Sequence, residues 1–265
     1  MSAASPGRRP LISGNWKMNF DHHEALHAAR DLGLRLQPSD VSHLDVSVHP
    51  PFTDLRTVQS VLEPDSVPVA LGAQNCAIED AGAFTGEVSP LMLAKLHVDY
   101  VIVGHSERRR LFGETDEVVR AKMRAVMRNA MTPICCVGES LDEREAGVTE
   151  DVLAGQVKAA LDGTAAEAVA GVVIAYEPLW AIGSGLAATP EDAQHACRWI
   201  REVVAQCADA DAARSVRIQY GGSVNEENAE TILRGPDVDG ALVGGASLDV
   251  GMFLGIIRAA SRSRQ

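Results

Sequence analysis

Short runs of β-branched and apolar residues recur along the chain at about 11–14, 44–48, 69–73, 100–103, 133–137, 172–176, 216–220 and 240–243. Each is followed by a stretch in which apolar positions take helical spacing. After the first run Leu26, Ala29, Gly33 and Leu36 share one helical face, and after the sixth Ala193, Ala196, Ile200, Val203 and Cys207 do so. Thr189-Pro190-Glu191 opens the latter helix with an N-cap, a proline at the first turn and an acid near the positive end of the dipole. Strict alternation of strand and helix demands parallel strands joined by right-handed crossovers. Eight such units within 265 residues predict a closed (β/α)8 barrel, although an open doubly wound sheet shares the same local signals. No linker, charge block or composition shift divides the chain, so one domain is expected over residues 10–265, behind a disordered extension at 1–9.

Composition narrows the class. Thirty-six acidic residues against 24 Lys and Arg give a formal net charge of -12, and 46% of residues are hydrophobic. This is the balance of a globular enzyme or binding protein, and it repels nucleic acid and anionic membrane surfaces. An anionic ligand must then find a local positive site. No run approaches the roughly eighteen apolar residues of a membrane span. The few apolar residues after MSAASPGRRP are too short for a signal peptide, and a cytoplasmic location is expected. Five cysteines is an odd number, with Cys135 and Cys136 facing opposite sides of a strand, so reduced thiols are the simpler reading.

In a parallel barrel the segments that leave the strands at their C-terminal ends form one face, however far apart they lie in sequence. Here they read GNWKMN after the first run, GHSERR after the fourth, YEP after the sixth, YGGSVN after the seventh and VGGASLD after the eighth. One acid, Glu177, one imidazole, His105, and one lysine, Lys17, thereby meet on a single rim. Taken singly, each has an ordinary reading as a solvated glutamate, a capping histidine or an exposed lysine. Lys17 carries more information, because Lys95, Lys122 and Lys158 all fall in predicted helices. Gly221-Gly222-Ser223 and Gly244-Gly245 fit either tight turns or a place where backbone N–H groups approach a phosphate. A phosphate beside a carboxylate, an imidazole and an ammonium suggests proton transfer next to the carbonyl of a small phosphorylated compound.

The motifs GNWKMN, GAFTGEVSP, VIVGHSERR, GETDE, CVGE, DEREAG, IAYEPLWAIGSG, QYGGSVN and DGALVGGASLD occur in that order from about residue 11 to 254. Together they resemble the triosephosphate isomerase family. The resemblance implies a single (β/α)8 TIM barrel that interconverts D-glyceraldehyde 3-phosphate and dihydroxyacetone phosphate through an enediolate, in glycolysis and gluconeogenesis, with no cofactor and no metal. It implies the family's division of roles, with Glu177 as base and His105 as a neutral hydrogen-bond donor to the carbonyl. Lys17 and Asn15 would stabilise the growing negative charge, and Glu107 would support the catalytic groups. Asn15 and Lys17 would also bind substrate, while Gly183, Ser223, Gly244 and Gly245 would hold its phosphate by backbone N–H. Pro178-Leu179-Trp180 would stiffen one hinge of a lid whose tip is Gly183-Ser184-Gly185, with Leu186-Ala187-Ala188 as the other hinge. Ser184 stands where threonine, and Leu186 where lysine, is frequent in the family.

QNCAIEDAGAFTGEVSP, residues 74–90, is a long loop after the third strand. By the resemblance it projects into a neighbouring subunit, where Thr85 braces the other chain's asparagine and lysine, and the implied assembly is a homodimer. Without the resemblance it reads as a flexible surface excursion. HEALH, His23 to His27, fits a zinc-peptidase pattern, but it lies on the first helix, away from the rim and without a third ligand. A class I aldolase needs a Schiff-base lysine in the barrel, and only Lys17 is near the mouth. An isomerase of a four-carbon ketose phosphate such as erythrulose phosphate stays open, because one extra carbon is read by pocket shape.

Overall fold

The computed structural model describes residues 8–181 and 188–263. Eight parallel strands follow one another in chain order: β1 (Leu11–Asn15), β2 (Asp45–His49), β3 (Ala70–Ala73), β4 (Tyr100–Val103), β5 (Thr132–Val137), β6 (Val173–Tyr176), β7 (Arg217–Tyr220) and β8 (Gly240–Val243). β8 returns to β1, with Leu11 to Gly14 in register with Gly240 to Val243. The sheet is thereby a closed barrel, and the open doubly wound alternative is excluded.

The strands read as nearly continuous apolar runs because both of their faces are covered. Leu11, Ile102, Ile134, Cys136, Val173, Ala175 and Leu242 form a cluster inside the barrel. Their strand neighbours Val101, Cys135, Ile174 and Val243 join the larger layer between strands and helices. Cys135 and Cys136 thus face opposite sides, as alternation requires. All five cysteines are free thiols, buried except Cys207. Among the described residues no helix is long and apolar enough to cross a membrane.

The helix faces differ in detail from the expected ones. Helix His22–Arg35 buries Ala25, Ala29 and Leu32, leaving Leu26 and Gly33 half-buried, because small alanines let the helix lie close on the strands. Helix Pro190–Cys207 buries Ala193, Ala196, Cys197, Ile200, Val203 and Val204, whereas Cys207, its last residue, is exposed. Thr189 caps that helix in a reciprocal box with Asp192, and Pro190 takes the first turn. In the HEALH segment His23 and His27 are exposed, and the Glu24 carboxylate accepts the Asp21 N–H in a capping box. Arg8 and Arg9, which the sequence places in the N-terminal extension, are tied to the barrel: Arg8 Nε donates to Asp239 at 2.7 Å and Arg9 Nε to Asp45 at 2.5 Å.

One side of the barrel interior is polar. Ser13, Ser47, His49 and Gln219 are all fully buried. His49 Nδ1 lies 3.2 Å from the Ala73 carbonyl, which can only accept, so Nδ1 carries the ring proton. Nε2, 3.0 Å from Ser47 Oγ, must then accept the Ser47 hydroxyl. With that proton committed, the 2.9 Å contact between Ser47 and Ser13 uses the Ser13 proton, and Gln219 Nε2 donates to Ser13 Oγ at 2.8 Å. A one-directional chain therefore runs from β7 through β1 and β2 to β3. Gly72 makes room for the ring, since any Cβ there would overlap it.

Burial, only partly offset by the Ala73 bond, pushes the His49 imidazole down from 6.5 to about 4. Its folded value lies below its unfolded one, so its contribution to stability is fully present above pH 6.5 and is lost as pH falls towards 4. The complete loss is about 3 kcal/mol. Thermal unfolding between pH 7 and 4.5 should show a smaller drop in Tm for His49→Asn, which cannot titrate there, than for the wild type. Equal drops would mean that His49 is not the buried neutral group described.

Candidate active site

The strand ends deliver their side chains to one cavity of about 490 Å³, lined by Asn15, Lys17, His105, Glu177, Ser223, Gly244 and Gly245 among others. Asn15 is the last residue of β1, and Lys17 follows two positions later. His105 sits two residues beyond β4, after Gly104 with φ 66°, at the N-cap of helix Ser106–Phe112. Glu177 directly follows β6. Gly221–Ser223 leave β7, and Gly244 and Gly245 lead from β8 into a short 3-10 turn, Gly245–Leu248. Seven of the expected site residues thus come together.

Glu177 is only 2% exposed, so its carboxylate must replace lost hydration with hydrogen bonds. Ser106 supplies two, from its N–H to Oε2 and from its hydroxyl to Oε1, each at 3.0 Å. His105 Nε2 lies 3.1 Å from Oε1. The tautomer follows from the other ring nitrogen. Nδ1 accepts the Glu107 backbone N–H at 3.2 Å, a group that can only donate, so the ring proton is on Nε2. The Glu107 carboxylate at 3.6 Å from Nδ1 is too far to compete for that position. The imidazole therefore presents an N–H donor on its cavity side.

Lys17 Nζ meets Glu107 Oε1 at 2.7 Å, with both side chains partly exposed. Burial raises the Glu107 carboxyl, but the Lys17 hydrogen bond and charge outweigh it and hold the group below the ordinary glutamate value. Such an exposed pair is worth at most about 1 kcal/mol. An anion entering the cavity can therefore take the ammonium from Glu107 at little cost. Glu107 itself does not line the cavity; its carboxylate reaches the site only through the contact with Lys17.

Several supporting residues escaped the sequence reading. Ser106 stands between His105 and Glu107, the two residues of its motif with an expected role. The Cys136 thiol faces Glu177 from inside the barrel; burial first, then the Glu177 charge, push it well above its ordinary value, so it stays a neutral S–H. Arg109 donates to the Gly104 carbonyl at 2.9 Å and the Cys136 carbonyl at 3.3 Å, and pairs with Asp116 at 2.6 Å, clamping the β4 exit against β5. Lys122, set aside as a helix lysine, is buried and donates to Glu114 at 2.6 Å and Asn75 at 2.8 Å. Glu139 is fully buried, and burial holds its carboxyl above the ordinary value despite bonds from Trp180 Nε1 at 2.8 Å and Tyr176 at 3.0 Å. Strand alternation could have pointed to Cys136; nothing in the sequence pairs the others.

Pro178 and Trp180, assigned to the first hinge, are buried, and the Arg144 guanidinium stacks 4.0 Å from the Trp180 ring. Gly183, Ser184, Gly185, Leu186 and Ala187 lie outside the described residues. Thr85 is exposed, on a loop whose residues 81–87 are all exposed and do not line the cavity.

A family model described as triosephosphate isomerase matches residues 10–260. The chain is 53% identical over 252 residues to a triosephosphate isomerase of Cutibacterium acnes, covering 94% of this chain and 97% of the relative. It is 50% identical to one of Mycobacteroides abscessus, covering 93% and 94%. It is 51% identical to one of Carboxydothermus hydrogenoformans, covering 95% and 98%.

Ser106→Ala removes one of the two Ser106 bonds to Glu177 and leaves the backbone bond. A bond to a charged group contributes about 1.5–3 kcal/mol, so kcat should fall roughly tenfold if the hydroxyl holds the carboxylate in its working place. Wild-type turnover would show that the bond is incidental.

Proposed function

The chain belongs to the triosephosphate isomerase family and is an isomerase of D-glyceraldehyde 3-phosphate and dihydroxyacetone phosphate, and we propose that its rim residues divide that reaction as follows. Glu177 removes the proton from the carbon beside the substrate carbonyl and returns one to the neighbouring carbon. His105 Nε2–H donates to the carbonyl oxygen and moves protons between the two substrate oxygens. The Lys17 ammonium and the Asn15 amide offset the negative charge that grows on the enediolate. Ser223, Gly244 and Gly245 take the phosphate. Glu107 holds Lys17 until the substrate arrives.

One observation carries this reading: a buried carboxylate lies 3.1 Å from an imidazole N–H donor at the mouth of a cavity that Lys17 and Asn15 also line. A base and an electrophile side by side suit removal of a proton α to a carbonyl. Relatives about half identical over nearly their whole length are all called triosephosphate isomerase, which favours the triose over a four-carbon ketose phosphate.

The assembly we infer is a homodimer acting in the cytoplasm. Met18, Phe84, Leu111 and Phe112 are 95%, 45%, 64% and 66% exposed, an apolar set on the segments after β1, β3 and β4 that a second copy would cover. Thr85, exposed next to Phe84, would enter that contact. A net charge of -12 gives no reason to invoke nucleic acid.

Glu177→Gln keeps the shape and removes the base, so kcat should drop by about three orders of magnitude or more with substrate binding nearly unchanged. Turnover near the wild-type rate would refute the assignment. Thr85→Asp should shift sedimentation towards a monomer and lower activity with it, and fully active monomers would contradict the dimer.

A further inference from the structure

Lys17 has a backbone φ of 54°, a left-handed conformation that a lysine keeps only when its surroundings hold it there. Its N–H donates to Asn15 Oδ1 at 3.0 Å, and its carbonyl accepts from Gln74 Nε2 at 2.7 Å. The same Gln74 nitrogen donates to the His49 carbonyl at 2.8 Å, which also takes the Trp16 N–H at 3.1 Å. Gln74 thereby links the end of β2 to Lys17.

Gln74 directly follows Ala73, the last residue of β3. The paired register between β2 and β3 covers only Ser47 with Ala70 and Val48 with Leu71. Beyond it, the bond from His49 Nδ1–H to the Ala73 carbonyl continues the connection. The ring is fully buried, held on its other edge by the Ser47 hydroxyl and seated over Gly72. It does not line the cavity.

We propose that His49 is a positioning residue for Lys17: its imidazole, clamped between Ser47 and the Ala73 carbonyl, fixes the exit of β3 so that Gln74 holds the Lys17 backbone in its left-handed turn and its ammonium at the cavity. This rests on the reading of Lys17 as the cation that meets the substrate. An apolar side chain of similar size would fill the space but leave the Ala73 carbonyl without its donor and the β3 exit free to shift. A displacement of about 1 Å at a catalytic group can cost on the order of a hundredfold in rate.

His49→Leu and His49→Asn test the inference, because asparagine can place an N–H near the position of Nδ1–H while leucine cannot. His49→Leu should raise KM about tenfold and weaken competitive inhibition by inorganic phosphate by the same factor. His49→Asn should return both to within roughly threefold of the wild type. A folded His49→Leu with unchanged KM and phosphate inhibition, or equal losses in the two variants, would overturn the proposal and reduce the ring to packing. Gln74→Met leaves the barrel interior intact and should reproduce the rise in KM; a wild-type KM there would overturn the proposal even if His49→Leu did not fold. Lys17→Ala in the same series separates the two readings. If it leaves phosphate inhibition intact, the role of Lys17 itself fails; if it abolishes inhibition while His49→Leu does not weaken it, only the His49 proposal fails.

Discussion

Burial of one carboxylate is the constraint around which the rim is built. Glu177 at 2% exposure has almost no water to stabilise its charge, and the protein replaces that water with fixed donors. Each donor depends on a further piece of structure. Ser106 and His105 are aimed by the start of a helix that follows Gly104 in a left-handed turn, and Arg109 ties that turn to the carbonyl of Cys136. Gly138 gives the Glu177 carbonyl its place, because a Cβ at that position would overlap it. Strands β4, β5 and β6 therefore act together on one acid.

The other half of the rim handles charge of the opposite sign. A chain with net charge -12 needs a local device to attract an anion, and Lys17 is the one lysine at a strand exit. Its pairing with Glu107 keeps the ammonium in place with little commitment, since a partly exposed ion pair is readily exchanged for another anion. The acid and the cation reach the cavity from β6 and β1, on separate supports. Inside the barrel the polar chain through Gln219, Ser13, Ser47 and His49 links β7, β1 and β2, while the apolar cluster contains Cys136, whose thiol faces the acid.

The barrel was legible in the sequence because each strand is buried on both faces, so hydrophobic runs and helical periods alternate cleanly. Glu177, His105 and Lys17 were legible because closure carries strand ends to one rim whatever their spacing, whereas Asn15 was legible only through the family resemblance. Their supports were not. Ser106, Arg109, Gln74 and His49 act through contacts between residues far apart in sequence, and no local pattern announces a hydrogen bond to a carbonyl on a neighbouring strand. Lys122 illustrates the same limit: it takes a lysine's ordinary place on a helix, yet it is buried between Glu114 and Asn75. The face of helix His22–Arg35 was misjudged by a fraction of a turn because alanines, not the larger Leu26, meet the strands.

The central claim is that a protein carboxylate carries the substrate's proton. It is tested most directly by running the isomerisation in D2O and locating deuterium in the product. A proton held on Glu177 can exchange with solvent before it is returned, so the carbon that gains hydrogen should carry deuterium in a substantial share of the molecules. Complete retention of the original hydrogen at that carbon, with no deuterium at any extent of reaction, would indicate direct hydride transfer and contradict the role given to Glu177.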